Sequence, residues 1–270
     1  MTAGDTPFTR RTPRVVSAIK LQRRKDREVR GAFLAEGPQA VASALSAGVV
    51  REIFATADRA RDFPDASIVT DDAMAALGET VQPQGVVAVC DTVDVPLDDA
   101  LAKQPRLVAV VLEVRDPGNA GTILRTADAA GAQAVIFAGD AVDPYNGKCV
   151  RASAGSLFHV DVVRERDWSG LVARLRAAGL HTYATSGHAA RDLDELADSG
   201  ALDARTAWVF GSEAHGLPPV ALSEADEAVR VPIYGGAESL NLAAAAAVCL
   251  YASARAHRTT SPSPSPSHSR

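Results

Sequence analysis

Residues 106–114, "RLVAVVLEV", set six consecutive apolar side chains, Leu107 to Leu112, between an arginine and an acid. Successive side chains of a strand face opposite ways, so a run with no polar alternation needs apolar cover on both faces. That describes a strand inside a parallel sheet, whose neighbours are reached by long crossovers, usually helical. The chain beyond it supplies them: helix 120–131, strand "AVIFAG", helix 148–158, strand "HVDVV", helix 168–179, strand "HTYATS", a short helix near 192–197, strands "TAWVFG" and "AVRVP", and a long helix 241–257. The alternation predicts an α/β fold with a mainly parallel sheet and helices on both faces.

A smaller α/β unit precedes it. Val15, Val16, Ile19 and Leu21 give a helix an apolar stripe. "AFLAEG", "REIFAT", "SIVT" and "GVVAVC" read as strands, with helices from Pro38 to Gly48 and over "DDAMAALGE". Prolines and acids in "DTVDVPLDDALAKQP" break the aliphatic pattern. The expected organisation is therefore a first domain at 1–95, a linker at 96–105, a second domain at 106–258 and a disordered Ser/Pro-rich tail at 259–270.

Charge is unevenly distributed. Residues 10–30 carry nine Lys or Arg against two acids, a local +7 in a chain of net −5. Such a segment is either a solvated helix face or an electrostatic footprint for nucleic acid, and by itself it does not choose. No apolar run is long enough to span a bilayer. Cys90, Cys149 and Cys249 are odd in number and widely spaced, so neither a disulfide framework nor a zinc cluster is expected, and no metal is assigned. No secretory h-region opens the chain, and Asp5, Asp26 and Glu28 suit a transit peptide poorly, which favours the cytoplasm.

Three glycine-bearing turns follow three strands: "VRDPGNAGTILRTADAAG" at 114–131, "VFGSEAHGL" at 209–217 and "VPIYGGAESLNLA" at 231–243. In open α/β sheets ligands bind beyond the carboxyl ends of strands, where glycine lets backbone approach the ligand and helix N-termini offer free N–H groups. Gly118 and Gly121 have neither the spacing of a dinucleotide fingerprint nor that of a Walker loop. Any one of these turns could simply close a loop or cap a helix. Together they could build one site.

Taken together, "NAGTILRTA" (Asn119, Gly121, Arg125, Ala127), "FGSEAHGL" (Glu213, Gly216, Leu217) and "SLN" (Ser239, Asn241) resemble, in order and spacing, the three signature motifs of the SpoU branch of the SPOUT RNA methyltransferases. "KCVRASAGSLFHV" at 148–160 resembles the segment between the first two motifs, and residues 1–95 more loosely resemble the family's substrate-binding domain, related to a ribosomal-protein fold. Ala243 departs from the pattern, since many relatives carry a second Ser there.

The resemblance implies a C-terminal domain tied in a deep trefoil knot. It implies S-adenosylmethionine held in a bent shape by Gly211, Ile233 and Leu240, with Thr185 and Ser239 beside them, and a homodimer that brings the first-motif arginine near the partner's cofactor. The reaction it implies is methyl transfer to a ribose 2′-hydroxyl of RNA, most simply large-subunit ribosomal RNA because of the extra N-terminal domain. A tRNA substrate, or an RNA-binding module that has lost catalysis, is the alternative, and a dehydrogenase is disfavoured by the glycine spacing. Arg125 is expected one turn into its helix, aimed at the same mouth as Asn119, binding a phosphate and stabilising the developing alkoxide. A guanidinium keeps its proton and makes a poor base, so the general-base role often described for the family's arginine is the lesser alternative. Glu213 would orient Arg125 or brace its loop, while Asn119, Ser239 and Asn241 fix loops and ribose. The basic segment then becomes the RNA contact, through Arg23, Arg24, Lys25, Arg27 and Arg30. His215 and the other histidines show no ligand spacing and receive no role.

Overall fold

The computed structural model describes residues 6–260. Eleven strands among them form two sheets. The first holds β1 (Ala32–Glu36), β2 (Val50–Ala55), β3 (Ser67–Ile68) and β4 (Val86–Asp91) in the order β1-β4-β2-β3. β4 runs antiparallel to β1 and β2, and β2 parallel to β3. The second holds β5 (Leu107–Leu112), β6 (Ala134–Ala138), β7 (Asp161–Glu165), β8 (His181–Thr185), β9 (Arg191–Asp192), β10 (Thr206–Phe210) and β11 (Glu227–Arg230). Their order is β7-β6-β5-β10-β8-β11-β9, and every pairing is parallel. All six residues of β5 are buried, as the unbroken apolar run requires. Because every strand points the same way, all their exits lie along one edge.

The helix that carries the first motif starts earlier than the sequence pattern suggests. It spans Pro117–Ala129, with Asp116 as N-cap accepting from the Asn119 N–H at 2.8 Å and proline in its first turn. It packs on the helix Gly147–Ser153 nearly backbone to backbone: a Cβ on Gly121 would lie 2.3 Å from the Cys149 carbonyl oxygen. Only glycine permits that approach. The segment expected as linker is partly built, because Leu97–Ala102 forms a helix whose Leu97 and Ala100 are buried under the seven-stranded sheet. The last helix, Leu242–Thr260, continues past the expected end at 257 and takes up the first two residues expected in the tail. The rest of that tail lies outside the described residues.

The basic N-terminal segment is two short helices, Pro13–Ile19 and Arg24–Arg30, joined by a 3₁₀ turn, and not a single amphipathic rod. It lies against the seam between the sheets, where one apolar core is continuous across both units. Phe33 of β1 packs on Tyr145 at 4.6 Å, and the Tyr145 hydroxyl accepts from the Val93 N–H at 2.8 Å. Arg151 pairs with Glu36 at 3.1 Å across the same seam. The N-terminal unit is thus packed on the larger one through core side chains.

Candidate active site

Four adjacent strands, β5, β10, β8 and β11, deliver their carboxyl-end loops to one place. Those after β8, β10 and β11 wall a cavity of about 550 Å³, within the range of small-molecule sites. Thr185, Gly211, Ile233, Ser239 and Leu240 all line it, together with Glu213 and Asn241. The Thr185 hydroxyl is committed to the Val209 carbonyl at 2.9 Å, so it ties β8 to β10 beneath the cavity. Ile233 and Leu240 stay 37% and 40% exposed, which leaves two apolar side chains free to cover a ligand. The loop after β10 folds sharply: Ser212 and Gly216 exchange backbone hydrogen bonds at 3.0 and 2.9 Å. A Cβ on Gly211 would sit 2.3 Å from the Gly216 carbonyl carbon, so that turn needs glycine.

The motifs are joined through side chains. Asn119 Nδ2 donates to Glu213 Oε1 at 2.9 Å, and Asn241 Nδ2 donates to Asn119 Oδ1 at 3.2 Å. Asn241 Oδ1 meanwhile accepts from the Ala243 N–H at 2.9 Å at the start of the last helix. Glu213 therefore braces the Asn119 helix, and among the described residues it makes no hydrogen bond or ion pair with Arg125. Ala243 is buried, so its methyl faces the core and not the cavity.

Two residues that the pattern did not single out complete this corner. Lys148 Nζ bonds Asp116 Oδ2 at 2.8 Å, and that contact, followed by the Asn119 N–H, holds the Asp116 carboxyl below its ordinary range. Arg230 pins the 186–190 turn by donating to the Ala189 carbonyl at 2.9 Å and to Asp192 at 2.9 Å. The Asp-Pro pair at 116–117 was a legible signal for the Asp116 cap, though not for its Lys148 partner. For Arg230 there was none, since its partners lie about 40 residues away.

Arg125 is exposed, outside the lining of its own cavity, and has no hydrogen bond or ion pair among the described residues. Because the helix begins at Pro117, Arg125 lies two turns in, about 120° around the axis from Asn119 and about 9 Å along it. The shared mouth expected for the two residues is not formed within one chain. Of the basic residues, Arg23 and Lys25 are exposed and unpaired among the described residues, and Arg24 is exposed but bonded to Glu28 at 2.8 Å. Arg27 must be corrected as an RNA contact. It is 4% exposed, with Nε and Nη2 on Asp143 at 2.8 and 2.7 Å and Nη1 on the Leu21 and Gln22 carbonyls. Arg30 is likewise spent on the fold, its guanidinium bonded to Ser17. Among the described residues no group of acids, histidines and cysteines could hold a metal.

Residues 106–251 match the family model described as the SpoU rRNA methylase family. The chain belongs to that family. Residues 12–88 match a second model, the MRM3-like substrate binding domain. The chain is 38% identical to the 23S rRNA (guanosine(2553)-2'-O)-methyltransferase RlmP of Bacillus subtilis strain 168, over 84% of this chain and 90% of that protein. Among solved structures, the AdoMet-bound rRNA methyltransferase from Sinorhizobium meliloti superposes with a TM-score of 0.78 at 29% identity, over 93% of this chain and 97% of the other. The SpoU methyltransferase AviRb from Streptomyces viridochromogenes, in complex with AdoMet, gives 0.77 at 30% identity, over 92% and 100%. This SpoU-family chain thus has the α/β architecture of SPOUT methyltransferases along with an N-terminal substrate-binding unit.

Proposed function

We propose that this protein transfers a methyl group from S-adenosylmethionine to a ribose 2′-hydroxyl of large-subunit ribosomal RNA. The observation that carries the reading is the single cavity in which the second- and third-motif loops meet, bonded through Asn119 to the first. Its shape suits the donor: the glycine turn at 211 keeps backbone close, Ile233 and Leu240 supply apolar walls, and Ser239 stands at the rim. The donor supplies a methyl group activated by a sulfonium, which needs no metal to make it electrophilic. RlmP, named for 23S rRNA, supports the ribosomal substrate, and the N-terminal unit supports RNA as the partner.

What the chain's own residues do is position and stabilise. Asn119, held between Glu213 and Asn241, fixes the loop at the cavity mouth so that a hydroxyl can be presented in line. Arg125, exposed and uncommitted, acts at the cavity of a second copy in a homodimer. There its fork binds a phosphate and favours charge developing on the ribose oxygen. The dimer reading is supported by Val248 and Tyr251, 43% and 53% exposed on one face of the last helix. The proposal includes the trefoil knot that the family resemblance implies. It also places the protein in the cytoplasm, where three buried free thiols, with Cys90 pushed up to about 12 by burial, stay reduced. No helix among the described residues is long and apolar enough to cross a membrane.

The test pairs labelled methyl transfer to total RNA with calorimetry of donor binding, for wild type and Arg125→Ala. We expect label in ribose of large-subunit RNA, and a variant with unchanged donor affinity whose transfer drops by about a hundredfold or more. Arg125→Lys should recover little, because a point charge does not reproduce a two-pronged contact. Label in tRNA alone would overturn the ribosomal half. Undiminished transfer by Arg125→Ala would remove that residue from the mechanism.

A further inference from the structure

A second cavity, of about 650 Å³, opens on the same edge of the seven-stranded sheet, beyond the carboxyl ends of β6 and β7 and beneath the helix Arg24–Arg30. Its floor is apolar, with Phe137, Val142 and Pro96, and three arginines, Arg24, Arg164 and Arg166, stand around it. The carboxylates lining it are already matched. Glu28 accepts from Arg24, Glu165 from Arg174 at 3.2 Å, and the buried Asp143 from Arg27. Asp94 takes Arg164 through two bonds, and that guanidinium also lies 5.6 Å over the Tyr145 ring, so it is held in place.

Among the side chains lining the cleft, unmatched charge is therefore positive, while outside the lining Asp26 and Asp167, next to Lys25 and Arg166, likewise have no side-chain partner among the described residues. Arg166 is exposed with no partner among the described residues, and Arg23 and Lys25 flank Arg24 in the same condition. Arg24, from the helix above, and Arg164 and Arg166, from the end of β7, line the same cleft and so meet it from two different elements. A place exists here for an anion with an apolar neighbour. Along the edge, the turn after β5 and the turn after β6 are joined by the Arg115–Asp140 pair at 3.0 Å. With strands about 4.8 Å apart, β7 is about 14 Å from β10, a span of a few nucleotides.

The geometry points to this cleft as a backbone-binding subsite, in which Arg166, with Arg24 lining the same cleft, holds a phosphodiester of the substrate RNA a few nucleotides from the methylated ribose. The inference rests on the RNA reading above and deepens it. It explains how a basic N-terminal segment that spends Arg27 and Arg30 on the fold still reaches the substrate. The exposed part of the segment is completed by Arg164 and Arg166 from the catalytic unit, residues 140 positions away in the chain.

Filter binding of the full chain to deproteinised large-subunit ribosomal RNA, across a potassium chloride series, tests it. Arg166→Ala should weaken binding by about tenfold at low salt and flatten the log–log salt slope by about 0.7 to 0.9, the loss of one phosphate contact. Arg166→Lys should restore the slope. Arg258→Ala removes the same charge near the opposite edge, where neighbouring His257 bonds the carbonyl of Ala204 just before β10, and should leave the slope unchanged. Donor affinity should be the same in all four proteins. An unaltered affinity and slope in Arg166→Ala would overturn the cleft while wild-type binding upholds the RNA reading. An equal loss in Arg258→Ala would mean that net charge and not this place governs binding. Wild-type protein that binds no RNA would overturn the substrate reading and the cleft with it.

Discussion

Arg27 and Arg125 are the same side chain put to opposite uses. The first stands in a segment with a local charge of +7 and is buried on Asp143. The second stands among alanines and threonines and is left exposed without a partner among the described residues. A charge that the fold has already neutralised in a dry place cannot also attract a polyanion, whereas one left unpaired at the surface can be given entirely to a substrate or a second copy. Charge density along the chain is thus a poor guide to where charge is available.

That contrast can be broken first at the seam. Arg27→Met strands the Asp143 carboxylate in the core and should destabilise the full chain by about 3 to 5 kcal/mol, read from urea unfolding. Combining it with Asp143→Leu should return most of the loss. A near-neutral single variant would show that the pair is more hydrated than its burial implies.

A smaller effect is expected at the cavity, where backbone rather than charge decides. Gly211→Ala drives a methyl into the Gly216 carbonyl and should cost about 1 to 3 kcal/mol, or about ten- to a hundredfold in donor affinity by calorimetry. Gly236→Ala, in the neighbouring loop, meets open space and should stay within about a factor of two. Equal losses at both positions would point to loop flexibility and not to close packing.

The smallest expected effect lies at the cap. Asp116→Ala should cost about 1 kcal/mol of stability and Asp116→Asn only a fraction of it, since asparagine also caps well. Because Lys148 and the Asn119 N–H hold this carboxyl below the usual carboxylate range, its contribution is fully present above the unfolded-state pKa and fades as the pH falls through the lowered folded value. Unfolding of wild type and Asp116→Asn between neutral and acid pH should therefore converge at the acid end. Curves that stay parallel would remove the ion pair from the account.

Strands were the most legible part of this molecule, because six buried residues in a row leave few alternatives and β5 follows that run closely. Helix starts were less so. Reading Pro117-Gly118 as loop hid an Asp cap with proline in the first turn, and the shift of three residues carried Arg125 away from the mouth it was expected to share with Asn119. The site's composition was readable from three motifs, but its wiring was not: Glu213 bonds Asn119 and not the arginine. Arg27 gave no local sign of burial, because its partner lies 116 residues away. Arg166 stands between Glu165 and Asp167 in the sequence, which masks its charge there, although Glu165 is bonded to Arg174 in the fold.

The bond from Asn241 to Asn119 closes a loop of 122 residues, and it is made by the residue that opens the final helix. Synthesis runs from the N-terminus, and domains generally fold in that order. A nascent chain can therefore finish its small sheet, its basic helices and most of its large sheet before this corner exists. Donor binding would then act as a signature of completion. It would add its free energy only to chains whose last helix has docked, and withhold it from those interrupted just short of Asn241.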